Sequence, residues 1–203
     1  MSHKCFISFK KEDKFYRDKI LEKLGQKDVS VKFLDRWIDS EDSDYILQEI
    51  RDSYLADTTV TLFLIGEHSL EDDGEDVYGR DNNFFIKREL QASLFDGKGN
   101  TRSGIVGIVL PDMEDKVFVG DRVCAVCGNS HSTLIVDDRT VVREFSANYF
   151  IKPKPGCCWS AKDRYCVLVA YEKFMADPNK YINLAYEKRY SEISKKIRLR
   201  NLR

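Results

Sequence analysis

Three short apolar runs constrain the fold of this chain more than any other feature of its sequence. They are CFISF at 5–9, TVTLFLIG at 59–66 and GIVGIVL at 104–110. Each run is almost continuously apolar and is bounded by polar residues, Gly or Pro. The strands of a parallel sheet have this pattern because helices cover both of their faces. The runs therefore predict an α/β domain built on a buried parallel sheet.

The segments between these runs have helical periodicity. KEDKFYRDKILEKLGQ follows the first run, DSDYILQEIRDSYLAD precedes the second, and NNFFIKREL precedes the third. A more alternating run, VSVKFL at 29–34, predicts a further strand nearer an edge. The alternation of strands and helices along the chain predicts right-handed crossovers and a doubly wound, flavodoxin-like sheet. Such sheets bind ligands beyond the carboxyl ends of their strands.

The sequence beyond residue 113 has a different pattern. STLIVDDRTVV predicts a strand or hairpin, with a turn at Asp137-Asp138. RYCVLVAYEKFMADPNKYINLAYEKRY predicts a helix, a break at Asp177-Pro178, and a second helix. No linker or internal repeat is visible. We therefore expect an α/β core at 1–113 and a C-terminal elaboration at 114–203, packed on the same domain.

Charge and hydropathy exclude several classes of partner. The chain has 33 Lys and Arg against 34 Asp and Glu, so no overall basic field attracts nucleic acid or acidic membranes. The longest clean apolar run, VTLFLI, is too short to span a bilayer, and the N-terminus lacks the features of a signal peptide. We expect a cytoplasmic protein that binds neither nucleic acid nor membrane. Its six Cys are then expected to be reduced or metal-bound.

Glu89 has an unusual position within DNNFFIKRELQASL. On a helix with about 100° per residue, Lys87, Arg88 and Gln91 cluster on one side. Glu89 points roughly 150° away from that cluster, in a sector shared with apolar and small residues. An ionised, unpaired carboxylate on the apolar side of a helix costs several kcal/mol. Glu89 is therefore paired with a cation, exposed to solvent in a cleft, or part of a catalytic site.

Other candidate residues follow the predicted strands. Trp37 lies in DRWIDSEDSD, flanked by Asp35 and Asp39, where its ring either stacks on a ligand or packs the loop onto the sheet. No G-x-G-x-x-G or Walker loop follows any strand, which disfavours dehydrogenases and P-loop NTPases. The three His residues are scattered, and none is assigned as a catalytic base. His68 lies in a long polar loop near the predicted cleft.

The cysteines indicate a second candidate site. CAVCGNSH offers Cys124, Cys127 and His131, and GCCW offers Cys157 or Cys158. A C-x-x-C followed by Gly is typical of a zinc knuckle, and one further ligand would complete a tetrahedron. The second spaced pair of a full pattern is missing, however. The alternatives are a structural zinc ion held by Cys124, Cys127, His131 and Cys157, or a set of reduced thiols.

The order of these segments resembles a TIR domain. HKCFISFKKEDKFYRDKI is similar to the first strand and helix of that family, FLDRWIDSED to the loop after its second strand, and TVTLFLIGEHS to its third strand. NNFFIKREL falls where enzymatic TIR domains carry an aromatic four residues before a catalytic glutamate, which implies that Glu89 is catalytic. With ADPNKYINLAYEKR near the C-terminus, the chain more narrowly resembles the TIR-like subunits of bacterial Thoeris anti-phage defence. Phe85 and Arg88 stand where many members have Trp and Tyr.

This resemblance implies an enzyme that cleaves the nicotinamide–ribose bond of NAD⁺. It would release an ADP-ribose-derived signal that activates a separate effector protein, with NAD⁺ as substrate and no further cofactor. The resemblance and the position of the loops predict these substrate-binding residues: Ser8, Phe9, Lys10, Trp37, Asp39 and Phe85. A homo-oligomer is expected to complete the site.

Two alternatives remain at the level of sequence. One is a non-catalytic TIR scaffold, in which Glu89 is a structural carboxylate paired with Arg80 or Lys10. The other is a flavodoxin-like regulatory or nucleotide-sensing domain, because a fold does not determine a function. The sequence also leaves open the activation trigger and the product, which could be linear, cyclic or conjugated ADP-ribose.

Overall fold

The computed structural model describes residues 3–25, 38, 40, 42–70, 84–97, 100–134 and 163–199. The described strands are β1 Cys5–Ser8, β2 Val60–Ile65, β3 Gly104–Val109, β4 Phe118–Val123, β5 Ser130–Leu134 and β6 Val167–Ala170. The α-helices are α1 Lys14–Leu24, α2 Ser43–Glu49, α3 Phe84–Leu94, α4 Pro111–Val117, α5 Tyr171–Ala176 and α6 Pro178–Lys188. A π-helical turn, Ile50–Leu55, extends α2. None of the helices in this part of the chain has the length and apolar character that crossing a membrane requires.

Four of these strands form one parallel sheet with the order β1-β2-β3-β6. Cys5 pairs with Val60, and Val60 in turn pairs with Gly104, so the first three strands begin nearly level. Helices lie between the strands in sequence. The predicted α/β class with a doubly wound, flavodoxin-like parallel sheet is confirmed. The additional strand predicted at 29–34 lies outside the described residues.

The two faces of the sheet are buried by different helices. On the α1 face, alternate strand residues such as Ile7, Leu62 and Ile108 pack against α1, α5 and α6. On the α3 face, Phe63 and Ile105 pack against α3 and α4, while Phe6 packs against α2 and α3. Successive side chains of a strand point to opposite faces, so a nearly continuous apolar run is what this two-sided burial requires.

One prediction for the C-terminal part is wrong. The stretch VLVA was predicted to begin a helix, but Val167–Ala170 is strand β6, and α5 begins only at Tyr171. β6 pairs with β3 in parallel and is largely buried, and a short buried strand cannot be distinguished from a buried helical segment by periodicity alone. Residues beyond 113 thus contribute a strand to the main sheet. The division of the chain at residue 113 stays a prediction.

A separate two-stranded sheet follows α4. β4 and β5 pair in an antiparallel hairpin, with a register irregularity between Phe118 and Asp121. The start of STLIVDDRTVV is therefore a strand, as predicted, but its partner is the preceding β4. The turn predicted at Asp137-Asp138 lies outside the described residues.

We predict that Gly104→Ala destabilises the fold much more than Gly107→Ala in the same strand. A Cβ on Gly104 would lie 2.3 Å from the backbone carbonyl oxygen of Ala185, which α6 holds in place, whereas one on Gly107 would meet the methyl ends of Leu168 and Ile65. We expect a loss of about 3 kcal/mol for Gly104→Ala and below about 1.5 kcal/mol for Gly107→Ala, from the usual range for overpacking. Urea unfolding measures both, and equal losses would contradict the close approach of α6 to β3.

Candidate functional site

Glu89 lies inside the protein, on the side of α3 that faces the sheet. Its exposed fraction is 4%, and the neighbouring residues Leu90 and Ala92 are buried at 2% and 0%. Leu90 packs with Phe63 of β2, which anchors the middle of the helix on the α3 face. Burial of Glu89 agrees with its expected position on the apolar side of the helix.

Ser8 is the hydrogen-bond partner of Glu89. Ser8 is the last residue of β1 and has an exposed fraction of 1%. Its hydroxyl donates a short hydrogen bond to Oε2 of Glu89. Within the described part of the chain no cation forms an ion pair with Glu89. The carboxyl group is therefore fixed at the carboxyl end of β1 by a neutral donor.

This environment strongly favours the protonated form of the carboxyl group. Burial raises the pKa of Glu89 from 4.5 to about 8, while the hydrogen bond from Ser8 acts in the opposite direction. A buried carboxylate is unstable unless hydrogen bonds or a cation replace the water that it has lost. Glu89 is therefore mostly neutral at pH 7 when nothing charged lies beside it.

The other side of α3 differs from the polar surface that the sequence indicated. Arg88 and Gln91 are buried as well, each with an exposed fraction of 6%. Nη1 of Arg88 donates a hydrogen bond of 2.9 Å to the side-chain oxygen of Gln91, and the guanidinium lies 4.9 Å from the ring centre of Phe84. Helix α3 is thus enclosed on more than its sheet-facing side, with its polar side chains paired inside the protein.

The structure brings only some of the predicted substrate-binding residues to this place. Ser8 contacts Glu89, and Phe9 and Lys10 follow directly in the loop after β1, both half-buried. The Phe9 ring lies 4.8 Å below the guanidinium of Arg17 and packs against the core on the α1 face. Phe85 is half-buried, with its ring 5.4 Å from that of Phe84.

The remaining predicted residues lie outside the described residues. They are Trp37 and Asp39, which precede α2 in the sequence, Cys157, and Arg80 as an alternative partner of Glu89. Their roles stay predictions.

Sequence reasoning missed a second buried carboxyl group, Asp13. It lies in the short helical turn Lys11–Asp13 after β1 and has an exposed fraction of 3%. A Cβ on Gly66, just after β2, would lie 2.6 Å from Oδ1 of Asp13, so only glycine leaves room there. Burial and the nearby carboxylate of Asp112 raise the pKa of Asp13 to about 6, partly offset by His68. The sequence did contain one signal for Asp13: it is an acidic residue at the point where the loop after the first strand enters a helix.

Asp13 lies where the loops that follow three neighbouring strands meet. Asp112 follows β3 at the start of α4, and its carboxylate accepts a hydrogen bond of 3.1 Å from the backbone N–H of Glu67. The carboxyl ends of β1, β2 and β3 are therefore joined by carboxyl groups on the α1 side, while Glu89 lies on the α3 side. Titratable groups with shifted pKa values at such an edge are characteristic of functional sites.

A third group lies in the turn between β4 and β5. The ligand atoms of Cys124, Cys127 and His131 all lie within 4.8 Å of one another, and the three side chains are half-buried or exposed. Three of the four residues predicted for a zinc site are thus close together.

We predict that Glu89→Gln becomes progressively more stabilising, relative to wild type, as pH rises. The raised pKa means that the protonated carboxyl stabilises the fold fully below about 4.5 and that this contribution is lost as pH rises toward about 8. The difference in unfolding free energy should grow on the order of 2–5 kcal/mol between about pH 5 and about pH 9. Urea unfolding across this range measures it.

Glu187→Gln, an exposed position on α6, is the matched control, and its effect should not change with pH in this way. A Glu89→Gln effect that stays constant across the range would show that the wild-type carboxyl is not held in its neutral form.

One comparison with known proteins identifies the family of this chain. A family model described as "Thoeris protein ThsB, TIR-like domain" matches residues 6–115, which is more than half of the chain. The match includes β1 from Phe6 onward with Ser8, then Asp13, and the whole of α3 with Glu89. No curated protein sequence matches the chain. The chain therefore belongs to the TIR-like domain family of the Thoeris protein ThsB.

Proposed function

We propose that this protein cleaves the nicotinamide–ribose bond of NAD⁺ and releases an ADP-ribose-derived signal in Thoeris anti-phage defence. The observation that carries the proposal is the buried carboxyl of Glu89, fixed by Ser8 at the carboxyl edge of the sheet. Family membership supports the defence role. The sequence match of Glu89 to the catalytic glutamate of TIR enzymes supports the reaction.

Glu89 suits this reaction because the substrate brings its own positive charge. The bond between C1′ of ribose and the ring nitrogen breaks, and its electron pair leaves with nicotinamide, which becomes neutral. Positive charge then spreads over C1′ and the ring oxygen of the sugar. A positioned carboxylate stabilises this charge, and exclusion of water strengthens the interaction.

The high pKa of Glu89 is compatible with this role. A unit charge about 4 Å away, at an effective dielectric constant of about 20, contributes about 4 kcal/mol, which equals about three pKa units. Such a shift brings a pKa of about 8 to about 5, so the cationic nicotinamide would ionise Glu89 on binding. The proton leaves to solvent, and the carboxylate remains for the developing oxocarbenium ion.

An acceptor then completes the reaction at C1′. Water gives linear ADP-ribose, an atom of the same molecule gives a cyclic isomer, and another metabolite gives a conjugate. In each case the acceptor forms the new bond to C1′ and loses its proton. The residues that select the acceptor would determine which signal reaches the effector protein.

We predict that wild-type protein releases nicotinamide from NAD⁺ and that Glu89→Gln lowers this rate at least about a hundredfold, the usual effect of removing one electrostatic contact to a transition state. Mass spectrometry of NAD⁺ incubated with concentrated protein measures the loss and identifies the companion product. Glu187→Gln, on the exposed side of α6, is the matched control and should keep the wild-type rate.

The same assay in extract from phage-infected cells includes any required trigger. Wild-type turnover by Glu89→Gln would refute the catalytic assignment. Absence of turnover by wild type in both settings would favour the alternative, a non-catalytic TIR scaffold.

We predict that kcat/KM for NAD⁺ rises with pH with a midpoint near pH 8, because the free enzyme must lose the Glu89 proton. Ser8→Ala removes the hydrogen bond that lowers this pKa, so the profile should move to higher pH. A shift of about one to two pH units would follow from the usual strength of a hydrogen bond to a charged group. The rate at pH 7 would then fall about 10- to 100-fold.

Ser93→Ala is the control for this profile. Ser93 lies one turn after Glu89 on α3 and bonds to the hydroxyl of Thr61 at 2.9 Å, so its loss removes a buried hydrogen bond without touching Glu89. Its profile should keep the wild-type midpoint. If Ser8→Ala and wild type have the same midpoint, Ser8 does not lower the pKa of the carboxyl group that takes part in the reaction.

A further inference from the structure

We propose that Cys124, Cys127 and His131 form a structural zinc site that stabilises the β4–β5 hairpin. The proposal is independent of the NAD⁺ reaction, because the site lies in the separate two-stranded sheet. Two thiolates and one imidazole are ligands that zinc prefers, and the C-x-x-C spacing is that of structural zinc sites.

The three side chains already have nearly the spacing that zinc requires. Sγ of Cys127 lies 3.0 Å from Nε2 of His131, and all three ligand atoms fall within 4.8 Å of one another. In a tetrahedral site with Zn–S of about 2.3 Å and Zn–N of about 2.0–2.1 Å, neighbouring ligand atoms are about 3.5–3.8 Å apart. Shifts below about 1 Å, within reach of side-chain rotation, would complete the geometry. Water or a further side chain would take the fourth position.

The backbone of the turn also has the form that a metal knuckle needs. The N–H of Val126 points at Sγ of Cys124 at 3.4 Å, and the N–H of Gly128 donates to the Cys124 carbonyl at 2.8 Å. Gly128 has φ +72°, a left-handed conformation that favours glycine directly after Cys127. An N–H donor at a thiolate sulfur stabilises its negative charge and orients it toward a metal.

The hairpin has a physical need for such a cross-link. A two-stranded sheet is marginally stable in water unless something else holds it. Val123 and Val126 are exposed at 75% and 81%, so they contribute little burial that could stabilise the turn. A zinc ion replaces a hydrophobic core here, because ligand binding to the folded turn adds directly to its folding free energy.

Zinc content of the untagged full-length protein tests the proposal. After incubation with a slight excess of zinc under reducing conditions and desalting, wild type should retain about one zinc ion per chain. Cys127→Ser and His131→Ala should each retain less than about a tenth of that, since each removes a ligand. Val126→Ser is the matched control, because Val126 lies exposed in the same turn without being a ligand, and it should keep the wild-type content.

Two further measurements make the result specific. Circular dichroism should show that both ligand variants fold, since the main sheet does not include the hairpin. Addition of a chelator to wild type should speed amide hydrogen exchange in residues 118–134 at least about tenfold and leave β2 unchanged. Wild type without bound zinc, or ligand variants that keep it, would overturn the proposal.

Discussion

Burial of the sheet on both faces is the constraint on which the rest of this structure depends. With helices on the α1 face and the α3 face, both faces of the described strands are covered. Side chains that bind or react with a ligand must therefore lie at the carboxyl edge of the sheet, where loops lead from the strands to the helices. Ser8 occupies the last position of β1, and α3 carries Glu89 onto that same edge.

Close packing makes this arrangement specific. Gly104 allows the backbone of α6 to approach β3, and Gly66 leaves room for the carboxyl of Asp13. Close-packed interiors of this kind exclude bulk water from a buried acid. The pKa values of Glu89 and Asp13 are therefore raised chiefly by burial, which is a consequence of the fold itself. In the β4–β5 hairpin, where Val123 and Val126 are exposed, the proposed metal ion can supply a cross-link.

Sequence patterns predicted the fold well where one face or two faces of an element are buried by regular packing. The strands β1, β2 and β3 follow from unbroken apolar runs, and the inward position of Glu89 follows from the helical period of 3.6 residues. The same reasoning failed for Val167–Ala170, since a four-residue strand with three buried residues carries no distinguishing period. The burial of Arg88 and Gln91 was not predicted, because it depends on elements distant in sequence. Asp13 was missed because its partners Gly66 and Asp112 come from other loops.

The two buried carboxyl groups at the edge of the sheet are not equivalent, and the difference indicates which of them can meet a cation. Asp13 has His68, Lys10 and two other carboxylates in its field, and these charges adjust a pKa that burial has already raised. In the part of the chain that the structure describes, the hydroxyl of Ser8 is the hydrogen-bond donor to Glu89, and burial dominates the pKa of this carboxyl. A group in that state gains most from a ligand that carries positive charge, because the ligand supplies the missing partner. A neutral nicotinamide, as in the reduced dinucleotide, would leave Glu89 protonated and unable to stabilise an oxocarbenium ion.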